Sequence, residues 1–205
     1  MSEKPTYDDI EEVVSELVIP FYHIERDMVI PGTIRRDETD AEHSWSLAFL
    51  ACSIASQIDP ELDLGLIAQL AIVHDIPEVY ASDISVWDSA DKLAKKKQNE
   101  VAAQQSIAER FSHLPWISST IETYERQDTK EAKFVYALDK LIALVIRRID
   151  KGQAYIDKQL TKGAFLAGLT PSRNKAQTYP EIGKYFEELW AIFESHPEYF
   201  YRSQD

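Results

Sequence analysis

The sequence is poor in cysteine, glycine and basic residues. Of its 205 residues, one is cysteine (Cys52) and 6 are glycine. A lone thiol excludes an internal disulfide framework and any metal site built from several cysteines. The 22 basic residues are outnumbered by 35 acidic ones, which gives a net charge of −13. Because a chain this acidic is a poor candidate for coating nucleic acid or an anionic membrane, we expect neither as a partner.

Long hydrophobic runs are also missing. The longest, residues 64–73, is interrupted by Gly65 and Gln69 and is much shorter than a bilayer-crossing helix. The N-terminal residues 1–5 are not followed by the apolar segment of a secretory signal. We therefore expect a cytoplasmic protein. The hydrophobic fraction of 44% and the charged fraction of 28% are typical of a folded chain with a substantial core.

Helical periodicity dominates the chain and predicts an all-α fold. No strand-like alternation of useful length is found, and residues 20–40 are predicted to form a loop. Residues 162–178 carry the weakest helical signal because glycine and proline interrupt them. The predicted helices span about 10–18, 40–57, 62–75, 91–111, 115–126, 130–151 and 180–194.

Local end signals support several of these boundaries. Thr39 and Glu42 have the spacing of a capping box, in which each side chain accepts a hydrogen bond from the other residue's backbone N–H. Thr129 is a predicted N-cap, and Gly152 is expected to end the helix that follows it. The architecture we expect is a bundle of non-parallel helices.

Three polar side chains fall on helix faces that should be apolar, and a fourth lies next to one of them. His43, His74 and Asp139 each lie at helical spacing from leucine, isoleucine or valine, and Asp75 follows His74 directly. An ionised carboxylate on such a face is costly unless it is paired or bound to a metal. Two imidazoles and two carboxylates suit a divalent ion such as Mn, Fe, Co, Ni or Zn.

Each of these residues also has an ordinary structural explanation. A histidine on an apolar face is usually a core residue with a hydrogen-bond partner. Asp139 and Lys140 can form an ion pair, and Glu42 can do no more than close its capping box. The metal hypothesis therefore depends on the set and not on any one residue.

Three motifs occur in order along the chain. They are Glu42-His43-Ser44, the run from His74-Asp75 through Glu78 to Asp83, and Asp139-Lys140. This set resembles the motifs of HD-domain metal-dependent phosphohydrolases over residues 33–152, most closely those of the branch that contains the 5′-deoxynucleotidases. The resemblance implies an HD-type helical bundle. We expect one domain over residues 1–205, with a motif-bearing core at 33–152 and a C-terminal helical extension at 153–205.

The resemblance also implies the reaction and the metal ligands. His43, His74, Asp75 and Asp139 would bind one divalent ion, which could be Mn, Co, Fe, Ni, Zn or Mg. Such an ion lowers the pKa of a bound water and binds a phosphoryl oxygen. The expected activity is release of phosphate from (deoxy)nucleoside 5′-monophosphates.

Further site residues follow from the same resemblance. Glu78 and Asp83 are expected to do general acid–base work, against the alternative of a helix-end carboxylate and a turn aspartate. Arg36 is the expected cation for the substrate phosphate because guanidinium binds phosphate through two hydrogen bonds. Lys97 is a weaker candidate because residues 95–97 also fit a solvated helix face.

The sequence departs from this branch at one position. The branch commonly has an Arg-Trp pair upstream of the first histidine, whereas residues 25–30 here contain Arg26 and no tryptophan. The substrate is therefore less firmly implied than the metal site. The alternatives are a (d)NTP triphosphohydrolase that uses the same metal site and a catalytically silent HD fold that binds a nucleotide or regulates. A cyclic-nucleotide phosphodiesterase is disfavoured because multi-metal sites need more inward histidines.

Four aromatic residues on the later helices suggest an interface. They are Trp116, Phe134, Phe186 and Trp190. Because one small bundle does not need so many, we expect a homodimer.

Overall fold

The structure, a computed structural model, describes residues 4–81 and 90–202, with the backbone alone for residues 90–97. The described part is mainly helical, as predicted. A π-helical turn, Val14–Val18, joins α1 to α2, and a 3₁₀ turn, Pro197–Tyr199, follows α11. The helices are α1 (Tyr7–Val13), α2 (Ile19–Phe21), α3 (Asp40–Ile58), α4 (Leu64–Val73), α5 (Glu78–Ala81), α6 (Ala90–Arg110), α7 (Pro115–Arg126), α8 (Lys130–Ile149), α9 (Gln153–Asp157), α10 (Lys162–Ala176) and α11 (Pro180–Ser195).

The predicted helix starts are confirmed where a capping side chain is present. Thr39 accepts a hydrogen bond from the Glu42 N–H, and the Glu42 carboxylate accepts one from the Thr39 N–H, so the capping box is complete. Thr129 caps α8 through the Ala132 N–H. Each cap satisfies N–H groups that have no partner inside the helix.

Helix α8 is the centre of the fold, and α3, α4, α7, α10 and α11 all pack on it. Its inner face carries Phe134 and Leu138, both fully buried in the main apolar cluster. Side chains from α10 and α11 belong to the same cluster. Such burial of apolar surface is the main favourable contribution to folding, about 25 cal/mol per Å². The C-terminal helices are therefore part of the same core as the helices that carry the motifs.

The predicted loop at residues 20–40 contains a short sheet instead. Strand β1 (Glu25–Ile30) pairs antiparallel with β2 (Arg36–Thr39), and the register changes between Glu25 and Val29. The prediction missed this hairpin because both strands are short, β2 is polar throughout, and the apolar residues of β1 are consecutive (28–30). Only Met28 in β1 and Glu38 in β2 are buried, so neither strand shows a clear alternation.

The segment with the weakest helical signal is also ordered as a helix. Helix α10 runs through Pro171, and Thr161 caps it through the Ala164 N–H. Proline within a helix costs a hydrogen bond and, in peptides, about 3 kcal/mol. Packing of α10 on α8 and α11 outweighs this local preference.

Three of the four aromatic residues behind the homodimer prediction lie inside the chain. Phe134, Phe186 and Trp190 are buried in the core, and Trp116 is half exposed. The Trp116 indole N–H donates to Gln69 Oε1 at 2.7 Å. These three buried rings pack inside one chain, so they do not supply the expected dimer interface.

One described segment, Leu64–Ala81, is long and apolar enough to cross a bilayer by length and composition, with a mean hydropathy of 1.2. This differs from the expectation drawn from the hydrophobic runs. Length and composition alone are weak evidence, since core helices pass the same test. Here α4 ends at Val73, and the rest of the segment contains the polar residues His74, Asp75 and Glu78.

Candidate metal centre

Four of the predicted site residues meet in the interior. His43 lies in the first turn of α3, His74 caps the C-terminus of α4, Asp75 follows it, and Asp139 lies in the middle of α8. The His43 and His74 ring centroids are 5.4 Å apart, and His43 Nε2 lies 3.0 Å from Asp139 Oδ1. His43, His74 and Asp75 each offer a ligand atom, and these atoms lie within 4.8 Å of one another.

The hydrogen bonds of His74 determine its tautomer. Nδ1 lies 2.9 Å from the carbonyl oxygen of Ala71, which can only accept, so the neutral ring carries its proton on Nδ1. The Nε2 atom is then left with a lone pair. It is buried, has no hydrogen-bond partner among the described residues, and lies 3.0 Å from Asp75 Oδ2 and 4.0 Å from Asp139 Oδ1. Three electron-rich atoms that face one another need a cation, and this donor set fits a divalent metal.

His43 is held from both sides. Its Nε2 faces Asp139, and its Nδ1 lies 3.4 Å from Glu38 Oε2. Burial and the charge of Arg26 lower the pKa of His43, but the interactions with Asp139 and Glu38 outweigh them, so its pKa is raised. A carboxylate behind a metal-binding imidazole orients the ring and strengthens it as a ligand.

Both aspartates stay ionised despite their burial. Burial alone would raise the pKa of Asp75, but the interactions with His74 and Arg26 lower it. Burial likewise acts against ionisation of Asp139, whereas Lys140 and the hydrogen bond with His43 lower its pKa well below the usual range. The Lys140 ammonium donates to Asp139 Oδ2. The cluster therefore presents carboxylates in their metal-binding form.

Arg26 is, with Lys140, one of the two cations described at this centre, a role that the motifs in the sequence did not assign to it. Its Nη1 donates to Asp75 Oδ2 at 2.5 Å and to Asp40 Oδ1 at 2.8 Å, and its Nε lies 3.8 Å from Glu38 Oε2. Burial would lower the pKa of Arg26, but the surrounding carboxylates, Asp75 first among them, raise it well above its ordinary value. Strand β1 places it there.

Glu78 lies at the start of α5, beside this centre. Its Oε2 is buried, and its charge is among those that raise the pKa of Arg26. The predicted helix over residues 62–75 ends at Val73, and turn hydrogen bonds such as Glu78 N–H to the Asp75 carbonyl (2.9 Å) carry the chain onward. Pro77 has no N–H to continue the helix. Two other predicted residues lie outside the described part: Asp83, and the side chain of Lys97.

Arg36 is not brought into the cluster, which corrects its expected position. Its guanidinium binds both carboxylate oxygens of Glu42, one of them at 2.7 Å, and its side chain is 53% exposed. The same carboxylate closes the capping box, and these interactions lower the pKa of Glu42 to about 2, Arg36 being the largest cause. Because Glu42 holds it on the surface, Arg36 stabilises the start of α3, and Arg26 takes the position expected for it.

A second group of possible ligands lies at the surface. Asp9, Glu12 and His113 have ligand atoms close enough to share an ion. His113 Nε2 already pairs with Asp9 at 3.2 Å, and Arg110 pairs with Glu12 at 2.9 Å. These charges balance one another, so this group is adequately explained as a surface ion-pair cluster.

The fold and the buried donor set together define a helical protein with a divalent-metal site. Residues 22–190 match the HD domain family, which is well over half of the chain, and the chain therefore belongs to this family. The family predicted from the motifs is thus confirmed, and so is the helical fold class.

Curated relatives include nucleotide hydrolases. The human 5′-deoxynucleotidase HDDC2 is 32% identical over 108 residues, which cover 52% of each chain. A dATP triphosphohydrolase of Salmonella phage PMBT28 is 32% identical over 71 residues, or 31% of this chain and 36% of the phage protein. The chain spans about half the length of the curated relatives it matches.

One solved structure matches nearly the whole chain. It is a predicted metal-dependent phosphohydrolase from Magnetospirillum magnetotacticum MS-1, and the match covers 96% of this chain and 99% of that one with a TM-score of 0.74. At 24% sequence identity, this likeness shows a shared fold.

Proposed function

We propose that this chain is a metal-dependent phosphohydrolase that releases phosphate from (deoxy)nucleoside 5′-monophosphates. The observation that carries the proposal is the buried lone pair of His74 Nε2, which faces Asp75 and Asp139. Membership of the HD domain family and similarity to 5′-deoxynucleotidases support this reaction class.

His43, His74, Asp75 and Asp139 would hold one divalent ion. The charges around them favour a cation, because two positive side chains, Arg26 and Lys140, stand against a larger number of carboxylates. When bound, a divalent ion supplies Lewis-acid activation of a water molecule and of the phosphoryl group. The carboxylates are Glu38, Asp40, Asp75, Glu78 and Asp139.

The chain's own residues would handle the substrate charge and the proton. Arg26 holds Asp75 in place and brings a guanidinium N–H to the edge of the cluster, where it would meet a phosphate oxygen. Glu78 is the proposed group that takes the proton of the attacking water and returns it to the leaving 5′-oxygen. Asp83 stays a second proposed acid–base residue.

A triphosphohydrolase is the second candidate, favoured by the phage relative that acts on dATP. A triphosphate brings more negative charge than a monophosphate and would need further cations. Arg26 and Lys140 already interact with carboxylates, and Arg36 is held by Glu42. The charge balance in the described part of the site therefore favours the monophosphate.

The experiment that tests the proposal measures product release by the metal-free chain after each of several divalent metals is restored. Release of phosphate from dAMP or another monophosphate is expected, and faster release of triphosphate from dATP would favour the second candidate. His74→Ala should abolish activity, whereas His113→Ala, the same change outside the cluster, should retain it. An active His74→Ala variant would contradict the assigned site.

Two further expectations remain predictions. We propose a cytoplasmic enzyme, supported by its similarity to 5′-deoxynucleotidases and by its lone cysteine. We also propose a homodimer, supported by the exposed and stacked rings of Trp45 and Phe49 on α3, which are 67% and 65% exposed.

A further inference from the structure

A cavity of about 140 Å³ lies between strand β1 and the junction of α8 with α9. Its apolar wall consists of Met28, Val29, Ala154 and Leu160 together with the ring of Tyr155. This cavity does not belong to the metal centre. Arg147, which lines it, comes eight residues after Asp139, and that places the two roughly 12 Å apart along the helix.

Most of the charges in this cavity are already paired. Asp27 forms an ion pair with Lys158. Asp150 accepts from Arg35 at 2.6 Å and from the Ala154 N–H at 2.8 Å. Neither carboxylate depends on Arg147 for a counter-charge.

Arg147 is the exception. Its one hydrogen bond to the described residues is a long one, from Nη2 to the Asp27 carbonyl oxygen at 3.4 Å, and none of the described carboxylates forms an ion pair with it. Burial lowers the pKa of Arg147, whereas Tyr155 raises it, and the charges of Arg26 and Glu38 act in opposite directions. Since arginine stays charged in proteins, the cavity contains one positive charge that none of the described carboxylates pairs with directly.

Tyr155 adds a second polar group without a partner. Its side chain is 3% exposed, and its hydroxyl has no hydrogen-bond partner among the described residues. The Tyr155 ring packs between the rings of Phe165 (4.6 Å between centroids) and Phe200 (5.5 Å, stacked). This packing keeps the hydroxyl from rotating toward solvent. A buried hydroxyl normally has a hydrogen-bond partner, so the Tyr155 hydroxyl is available to a bound ligand.

We propose that this cavity binds a small organic carboxylate with an apolar body. The carboxylate would accept hydrogen bonds from the Arg147 guanidinium and the Tyr155 hydroxyl, and the apolar body would lie against Met28 and Leu160. One positive charge without a direct ion pair to the described carboxylates matches one ligand carboxylate. The volume suits a six-membered ring, since a protein cavity of about 150 Å³ accommodates benzene.

Calorimetric titration of the metal-loaded full chain with benzoate tests the site. We expect saturable binding at least about tenfold tighter than that of benzamide, which has the same shape without the charge. Phenylphosphonate, with its higher charge, should bind more weakly than benzoate. Equal binding of benzoate and benzamide, or tighter binding of phenylphosphonate, would overturn the proposal.

Variants locate the binding. Arg147→Met should weaken benzoate binding at least about tenfold, and Arg148→Met, the same change one residue along α8, should alter it by less than about twofold. Tyr155→Phe should also weaken binding, which keeps a test available if Arg147→Met does not fold. The His74→Ala variant should bind benzoate as the unsubstituted chain does. Loss of benzoate binding in this variant would show that benzoate binds at the metal centre instead. The binding measurement does not depend on the proposed phosphohydrolase activity.

Thermal unfolding separates binding from a structural role. Arg147 is partly buried and forms no ion pair with the described carboxylates, so its replacement by an apolar side chain breaks no such pair. We therefore expect Arg147→Met to keep or raise the unfolding temperature while losing benzoate binding. A lowered unfolding temperature in Arg147→Met, with no benzoate binding by the unsubstituted chain, would mean that Arg147 serves only the fold.

Discussion

At the scale of single residues, Arg26 supplies a positive charge that offsets the buried carboxylates of the metal centre. Its guanidinium joins Asp75, a predicted metal ligand, to Asp40, the fully buried first residue of α3. Neither aspartate could stay ionised in the interior at low cost without such a partner. The charge of Glu78 also acts on Arg26, and the Glu78 Oε2 atom is buried.

Arg26→Met is expected to destabilise the metal-free chain by about 3–5 kcal/mol, because it leaves buried carboxylates without their cation. The free energy of unfolding in urea measures this. Arg36→Met is the matched control, and its effect should be much smaller because the Arg36–Glu42 pair is exposed. Equal losses in the two variants would show that Arg26 is not the buried counter-charge.

Glu78→Gln should lower kcat by roughly 10²–10⁴-fold while metal content and the unfolding temperature stay unchanged. The reason is that the amide cannot exchange the proton, although it has nearly the same shape as the carboxyl group. Glu109→Gln, a change on the exposed face of α6, serves as the control. Normal turnover by Glu78→Gln would leave Glu78 as a helix-start residue with no part in the reaction.

At the scale of elements, the ends of helices decide what reaches the site. The capping box of Thr39 and Glu42 fixes the first turn of α3, which carries His43. The end of α4 at Val73 turns His74 and Asp75 toward α8. The hairpin β1–β2 then places Arg26 and Glu38 against the same cluster. The positions of His43, His74 and Asp75 thus depend on an element boundary, whereas Asp139 lies in the middle of α8.

A glycine-to-alanine substitution is expected to have opposite effects on stability at two positions. Gly152, between α8 and α9, has a φ of 75°, and a Cβ there would lie 2.2 Å from the Tyr199 carbonyl oxygen. Gly152→Ala should therefore destabilise the chain by more than about 1 kcal/mol. Gly163→Ala, in α10 with open space around it, should stabilise by about 0.5 kcal/mol. Urea unfolding of both variants measures the contrast, which a destabilised Gly163→Ala would contradict.

At the scale of the whole molecule, the buried charges tie stability to the metal. A metal ion that binds the folded chain but not the unfolded chain adds about 2.7 kcal/mol to the free energy of unfolding when it is present at 100 times its dissociation constant. EDTA should therefore lower the unfolding temperature, and Mn²⁺ or Co²⁺ should restore it. His74→Ala should remove this response, and His113→Ala should keep it. An unfolding temperature that does not respond to EDTA or to added metal would contradict a metal bound in the core.

The homodimer prediction also belongs to this scale. Trp45 and Phe49 form a stacked, exposed apolar pair on α3, whereas the later aromatic residues are largely buried. If this pair is the interface, light scattering at micromolar concentration should give twice the mass of one chain. Trp45→Lys should then give a monomer, with Trp116→Lys as the control. A monomeric unsubstituted chain would refute the prediction.

The local pattern of the sequence determined the helices and the identity of the central polar residues. Periodicity, the Thr39 and Thr129 caps and the proline breaks depend on residues three or four apart, so a short window is enough to find them. The cost of placing a histidine or an aspartate on an apolar face is local as well. This is why the helical spacing alone singles out His43, His74 and Asp139.

Tertiary structure decided which charges meet. Arg26 and Asp75 are separated by 49 positions, and only the pairing of β1 with β2 and the packing of α3, α4 and α8 bring them to 2.5 Å. Arg36 was the residue expected to bind the substrate phosphate, yet it pairs with Glu42 and is held at the surface. Ion pairs depend on distance and burial, and neither can be read from spacing along the chain.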